Sequence, residues 1–130
     1  MKYLAIDYGR KHVGLARSEG EIAAPAGTMD NNEKIWEKLA AKIIEEGVTT
    51  VVIGISEGQA KAEAAAFGGR LSNLTKAQVV YYDETLSSQT AKKKMIEAGK
   101  PRHRRQKEDH CVAAALILQN YLNEKGGSHD

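Results

Sequence analysis

With 130 residues, 42% of them hydrophobic and 28% charged, the chain has the size and composition of one soluble globular domain, able to bury a core without disulfides or structural metals. No run approaches the roughly 18 consecutive apolar residues of a membrane span, and the first residues read directly into a strand rather than a leader, which argues against secretion and for a cytoplasmic protein. The net charge of +2 neither proves nor excludes a nucleic-acid partner, and the single cysteine, Cys111, excludes an internal disulfide and reads as a packing residue in its alanine-rich segment.

In chain order, residues 3–7 form a short apolar run closed by a carboxylate, Asp7, and residues 13–18 a second run. Tyr8-Gly9-Arg10-Lys11-His12 joins them at hairpin length. Residues 21–28 form a third strand, which Pro25, lacking a backbone donor, assigns to a sheet edge. From Asn31 to Glu46 the residues Ile35, Trp36, Leu39, Ala40, Ile43 and Ile44 recur at the spacing of one helix face, with Asp30, Asn31 or Asn32 as cap and Gly47 as stop. Val48 to Ile55 is continuous and β-branched, the pattern of a strand covered on both faces. Strand, helix, strand without a hairpin turn implies a crossover and a parallel neighbour for the first strand.

Ala60, Ala64, Phe67, Leu71 and Leu74 mark a second helix, in which Gly68 and Gly69 predict close packing or a bend. Residues 78–82 are a fifth strand closed by Asp83-Glu84. Ser87 to Glu97 is a short lysine-rich helix stopped by Gly99 and Pro101. A polar loop over 99–106 leads to a last helix, roughly Lys107 to Asn123, whose apolar face runs through Val112, Ala113, Leu116, Ile117 and Asn120. Residues 1–125 thus read as one domain and 126–130 as a flexible tail. The order predicts an α/β fold: a mixed five-stranded sheet, an antiparallel meander followed by parallel crossovers, with helices on both faces.

Acids stand at the ends of three elements: Asp7 after the first strand, Asp83-Glu84 after the fifth, and Asp109 in the first turn of the last helix. Hard divalent cations take carboxylate oxygens on rigid supports, and two such ions about 4 Å apart can activate a water and stabilise a leaving oxygen in phosphodiester cleavage. Taken singly, each acid is also explained by ordinary strand ends and by the helix dipole. The stretch Lys100-Pro101-Arg102-His103-Arg104-Arg105-Gln106-Lys107 lies immediately before Asp109, so phosphate-binding charge and a candidate metal ligand share one region. Asp7-x-Gly9 with Gly14 would let backbone approach a phosphate closely. His12, His103 and His110 stand at no metal-ligand spacing, although His110, beside Asp109, is a candidate proton carrier.

Three segments in register carry a resemblance. Residues Ala5-Ile6-Asp7-Tyr8-Gly9-Arg10-Lys11-His12-Val13-Gly14-Leu15-Ala16, the stretch 83–91 from Asp83-Glu84-Thr85-Leu86-Ser87 onward, and the run from Asp109-His110-Cys111-Val112-Ala113-Ala114 to Leu122 resemble the YqgF, or RuvX, family of Holliday-junction-resolvase-like proteins in the ribonuclease H superfamily. The resemblance spans nearly the whole chain. It implies a ribonuclease H-like fold and a nuclease dependent on Mg2+ or Mn2+, associated with maturation of precursor small-subunit ribosomal RNA. It marks Asp7, Glu84 and Asp109 as catalytic metal ligands, with Asp83 as neighbour. Structured RNA, or branched DNA, would then lie against Arg10, Lys11, Lys100, Arg102, Arg104, Arg105 and Lys107, and a homodimer would place two sites on one substrate.

One segment departs: Gly54-Ile55-Ser56-Glu57-Gly58-Gln59 keeps the strand-end glycine but lacks the family's proline and asparagine. Geometry adds a competitor. If the fourth strand lies beside the first, Glu57 is about 5 Å away laterally and Glu84, one strand further, about 10 Å, so Glu57 stands in reserve for Glu84. Two other readings stay open: a module that binds nucleic acid or a ribosome-assembly partner without cutting, and an actin-like nucleotide-binding fold, which would need a second lobe that 130 residues do not provide.

Overall fold

The computed structural model describes residues 2–55, 59–83 and 107–127, the side chains of residues 59–60, 83 and 107–109 excepted. Five strands, β1 (Tyr3–Asp7), β2 (His12–Ser18), β3 (Ala24–Asp30), β4 (Thr50–Ile55) and β5 (Gln78–Asp83), form one sheet in the order β3-β2-β1-β4-β5. β1 pairs antiparallel with β2 and parallel with β4, and β4 pairs parallel with β5, which is the expected meander followed by crossovers. Helices α1 (Ile35–Glu46) and α2 (Gln59–Thr75) cover one face, and α3 (Lys107–Gly127) covers the other.

Alternation along β1 explains why all five of its residues are buried. Leu4 and Ile6 point to α1 and α2, where they join Val13, Leu15, Ile35, Leu39, Ile43, Val51, Ile53, Phe67 and Leu71. Tyr3 and Ala5 point to α3 and meet Ala16, Val52, Tyr82, Ala114, Ile117 and Leu118. A strand in the middle of a doubly covered sheet has no wet face, so an apolar run without alternation is what it requires.

Element boundaries depart from the sequence pattern where a tertiary contact claims the residue. β3 runs over 24–30 rather than 21–28, at the sheet edge as Pro25 required. α1 begins at Ile35 rather than Asn31: two of the candidate caps, Asp30 and Asn31, are engaged with the β1–β2 region, and Asn32 turns the chain into the helix instead. Asp30 Oδ1 lies 3.2 Å from His12 Nδ1, Asn31 donates its side-chain Nδ2 to Gly9 O at 2.8 Å, and Asn32 Oδ1 accepts from the Lys34 N–H at 2.9 Å. Gly47, at φ 68°, closes α1, and the N–H of Val48 is spent on Ile43 O at 3.0 Å, so β4 starts at Thr50.

Three residues expected on buried helix faces are exposed: Ile44, Leu74 and Val112. Each sits one step, about 100° of helix rotation, from the true stripe. Thus Ile43 rather than Ile44 is buried on α1, and α3 buries Ala113, Ala114, Ile117 and Leu118. Gly68 marks close packing: a Cβ there would stand 2.5 Å from Tyr81 Oη and 2.7 Å from Ile53 Cδ1, whereas Gly69 faces open space. α3 continues to Gly127, past the expected start of the tail. The expected helix over 87–97 lies outside the described residues.

Candidate active site

Asp7 is the last residue of β1, level with Gly14 on β2 and Gly54 on β4, and Gly54 is level with Tyr82 on β5. A carboxylate is therefore set between two residues without side chains at the carboxyl end of the central strand, where parallel strands open toward solvent. Its side chain shares the α3 face with Ala5. There His110 Nδ1 approaches Asp7 Oδ2 at 3.3 Å, and the Asp7 side chain is only 6% exposed. A buried carboxylate needs a partner, and in the Nδ1-protonated tautomer His110 supplies one by donating to Oδ2.

Gly14 makes this meeting possible. A Cβ at Gly14 would overlap the carbonyl group of His110 and stand 2.7 Å from the Cys111 amide nitrogen. The first turns of α3 thus rest directly on the β2 backbone, bringing His110 to Asp7. The space that glycine leaves is filled by helix backbone, so Gly14 does not serve the phosphate approach expected of it. Its signal was a glycine inside a strand, which marks a close backbone approach. At Gly9 a Cβ would overlap His12 O and stand 3.4 Å from His110 Cε1. The imidazoles of His12 and His110 are 6.3 Å apart, and His12 in turn pairs with Asp30.

The loop after Asp7 is clamped. Asn31 donates its side chain to Gly9 O and its backbone N–H to Lys11 O, each at 2.8 Å. On the other flank Arg10 Nε donates to Glu63 Oε2 at 3.0 Å. That hydrogen bond and the carboxylate's charge raise the Arg10 pKa above its ordinary value. Arg10 and Lys11 are both exposed at this end of the sheet.

Of the remaining residues singled out in the sequence, Asp109 stands in the first turn of α3, next to His110, and Asp83 ends β5; Lys107 opens α3. Their side chains lie outside the described residues, as do Glu57, Glu84, Lys100, Arg102, Arg104 and Arg105 altogether. Among the described residues no three His, Cys, Asp or Glu side chains converge as a metal site. What Asp7 presents is nonetheless suited to a hard cation: a buried carboxylate at a rigid strand end, with one oxygen held by an imidazole. His110 and Asn31 are the residues whose roles sequence reasoning underrated. Among the described residues no helix is long and apolar enough to cross a membrane.

Comparison with known proteins agrees with this architecture. Residues 1–124 match the family described as RuvX: Holliday junction resolvase. A protein of Geobacillus thermodenitrificans is 35% identical, covering 96% of this chain and 99% of its own, and one of Lactococcus lactis subsp. cremoris is 34% identical, covering 94% of each. Both carry the name "Putative pre-16S rRNA nuclease". Among solved structures, RuvC of Thermus thermophilus in complex with a Holliday junction superposes with a TM-score of 0.67 at 13% identity, covering 98% of this chain and 96% of that one. The fowlpox virus resolvase bound to junction DNA gives 0.55 at 9% identity, covering 94% and 99%. These two likenesses speak to the fold, which is ribonuclease H-like. Matched along 124 residues and by relatives similar over nearly their whole length, the chain belongs to the RuvX family.

Proposed function

We propose that the chain is a divalent-metal-dependent nuclease that hydrolyses phosphodiester bonds in structured nucleic acid, with precursor 16S ribosomal RNA as its substrate and branched DNA as the second candidate. The observation that carries this reading is the buried Asp7 carboxylate at the end of the central strand, with α3 seated against it through Gly14. The names of the relatives supply the RNA substrate, and the family description supplies the branched DNA.

Asp7, Glu84 and Asp109 would hold Mg2+ or Mn2+, with Asp83 adjacent and Glu57 in reserve. When bound, such an ion makes a water nucleophilic and stabilises the departing oxygen. The chain's own part is orientation. His110 holds Oδ2 of Asp7, and the remaining carboxylate oxygen would be available to the ion. Arg10 and Lys11 on the clamped loop, with Lys100, Arg102, Arg104, Arg105 and Lys107, would grip the phosphate backbone without reading its sequence.

The test is cleavage of labelled precursor RNA and of a four-way DNA junction with manganese, beside an Asp7→Asn control. We expect Asp7→Asn to lower cleavage about a thousandfold, equivalent to about 4 kcal/mol, while RNA binding is retained. Undiminished cleavage by the variant would sink the metal role of Asp7. Absence of magnesium or manganese binding in a calorimetric titration would favour a module that binds without cutting.

A further inference from the structure

The pair between Arg10 and Glu63 has no role in the nuclease reading as derived above, yet it occupies a side chain that reading assigns to phosphate. Its partners come from distant parts of the chain, the loop opened by Asp7 and the early turns of α2. Arg10 is 61% exposed and Glu63 38%. An ion pair in such a setting contributes little to folding, so its main consequence falls on what Arg10 can bind. A phosphate approaching this guanidinium meets the Glu63 carboxylate at the same point, and like charges a few ångströms apart repel.

We propose that Glu63 is a specificity-determining residue, an electrostatic clasp on Arg10 that an incoming phosphate must displace. An extended phosphate backbone engages several cations at once and can meet that cost from its other contacts. A mononucleotide or inorganic phosphate has no other contacts to draw on and is rejected. The clasp therefore selects polymeric substrate over the small phosphates and nucleotides that would otherwise compete for the loop. The inference rests on the nuclease reading, which places Arg10 against the substrate backbone.

The alternative is that Glu63 is only an exposed ion-pair partner that tethers the loop to α2, with no bearing on what Arg10 binds. A double-mutant cycle separates the two. Binding of a labelled precursor 16S rRNA fragment is measured in EDTA at low ionic strength for wild type, Glu63→Gln, Arg10→Ala and the double variant, with uridine monophosphate as competitor. Glu63→Gln is expected to tighten RNA binding about three- to tenfold in the wild-type background and no more than about twofold beside Arg10→Ala. The gain should shrink with added salt, and uridine monophosphate should compete measurably only against the Glu63→Gln protein. Equal tightening in both backgrounds, or none, overturns the clasp while leaving the nuclease reading intact. Failure of the wild type and every variant to bind the RNA overturns the clasp and removes precursor 16S rRNA as the substrate, leaving branched DNA.

Discussion

The two faces of the sheet are built from different materials. Toward α1 and α2 the strands present Leu4, Ile6, Val13, Leu15, Val51 and Ile53, and the helices answer with Ile35, Leu39, Ile43, Phe67 and Leu71, with Tyr8 and Trp36 packed at the margin. Toward α3 large side chains also pack, Tyr3, Val52, Tyr82, Ile117 and Leu118 among them, but beside the site β2 presents Gly14 and Ala16, with the His110 backbone seated on Gly14. Large side chains hold layers apart and bury apolar area, whereas small ones let backbones touch. The first face is apolar along its whole extent. The second is where position is controlled, and it carries Asp7 and His110. Fold and chemistry are separated across one sheet only a single residue thick.

If this division is right, substitutions on the two faces should fail in different ways. Leu39→Ala, deep in the aliphatic face, should cost about 2–5 kcal/mol in denaturant unfolding while leaving the activity of the folded fraction unchanged; a matching loss of specific activity would break the comparison. Gly14→Ala drives a Cβ into the backbone of α3 and should cost about 3 kcal/mol or more from overpacking. Unlike Leu39→Ala it should also lower the specific activity of the folded fraction by about a hundredfold, since a displacement of about 1 Å at a reacting centre suffices for that. Wild-type activity in a folded Gly14→Ala protein would show that the seat of α3 does not set the site.

The smallest effect lies at the far end of the molecule, where Glu46 pairs with Arg17 at 2.9 Å and Lys42 at 3.0 Å. Partial burial pushes the Glu46 carboxyl up, but the hydrogen bonds and charges of Lys42 and Arg17 outweigh it, and the net pKa is lowered. A lowered folded-state pKa means stability that is present above the ordinary carboxylate range and lost as pH falls through the depressed value. Glu46→Gln should thus destabilise by no more than about 1 kcal/mol at pH 7, with the difference from wild type vanishing in acid. A pH series of chemical melts measures it, and a gap that persists at low pH would assign the effect to packing instead.

How far the sequence could be read follows the range of each interaction. Asp7 was visible because a carboxylate closing an apolar run is a local pattern, and the crossover was visible because β3, α1 and β4 follow one another with no hairpin turn between them. The meeting of His110 with Asp7 spans 103 positions and leaves no periodic trace. Asn31 looked like a helix cap because its intrinsic preference is for caps; a tertiary demand, holding the loop at Gly9 and Lys11, overrode it. Ile44 and Val112 show the coarseness of apolar spacing, which locates a stripe only to within a neighbouring residue.

The edge strand β3 carries a further consequence. It has Pro25 in the strand, and the pairing with β2 slips between Leu15 and Ala16, so that Gly27 and Pro25 rather than successive residues face them. A missing donor and a bulge make this border a poor template for another strand. Growth of the sheet from one molecule into the next is thereby discouraged on that side, which guards a protein working among other chains against edge-to-edge aggregation. Any pairing of two copies around one branched substrate would have to be made through surfaces other than β3.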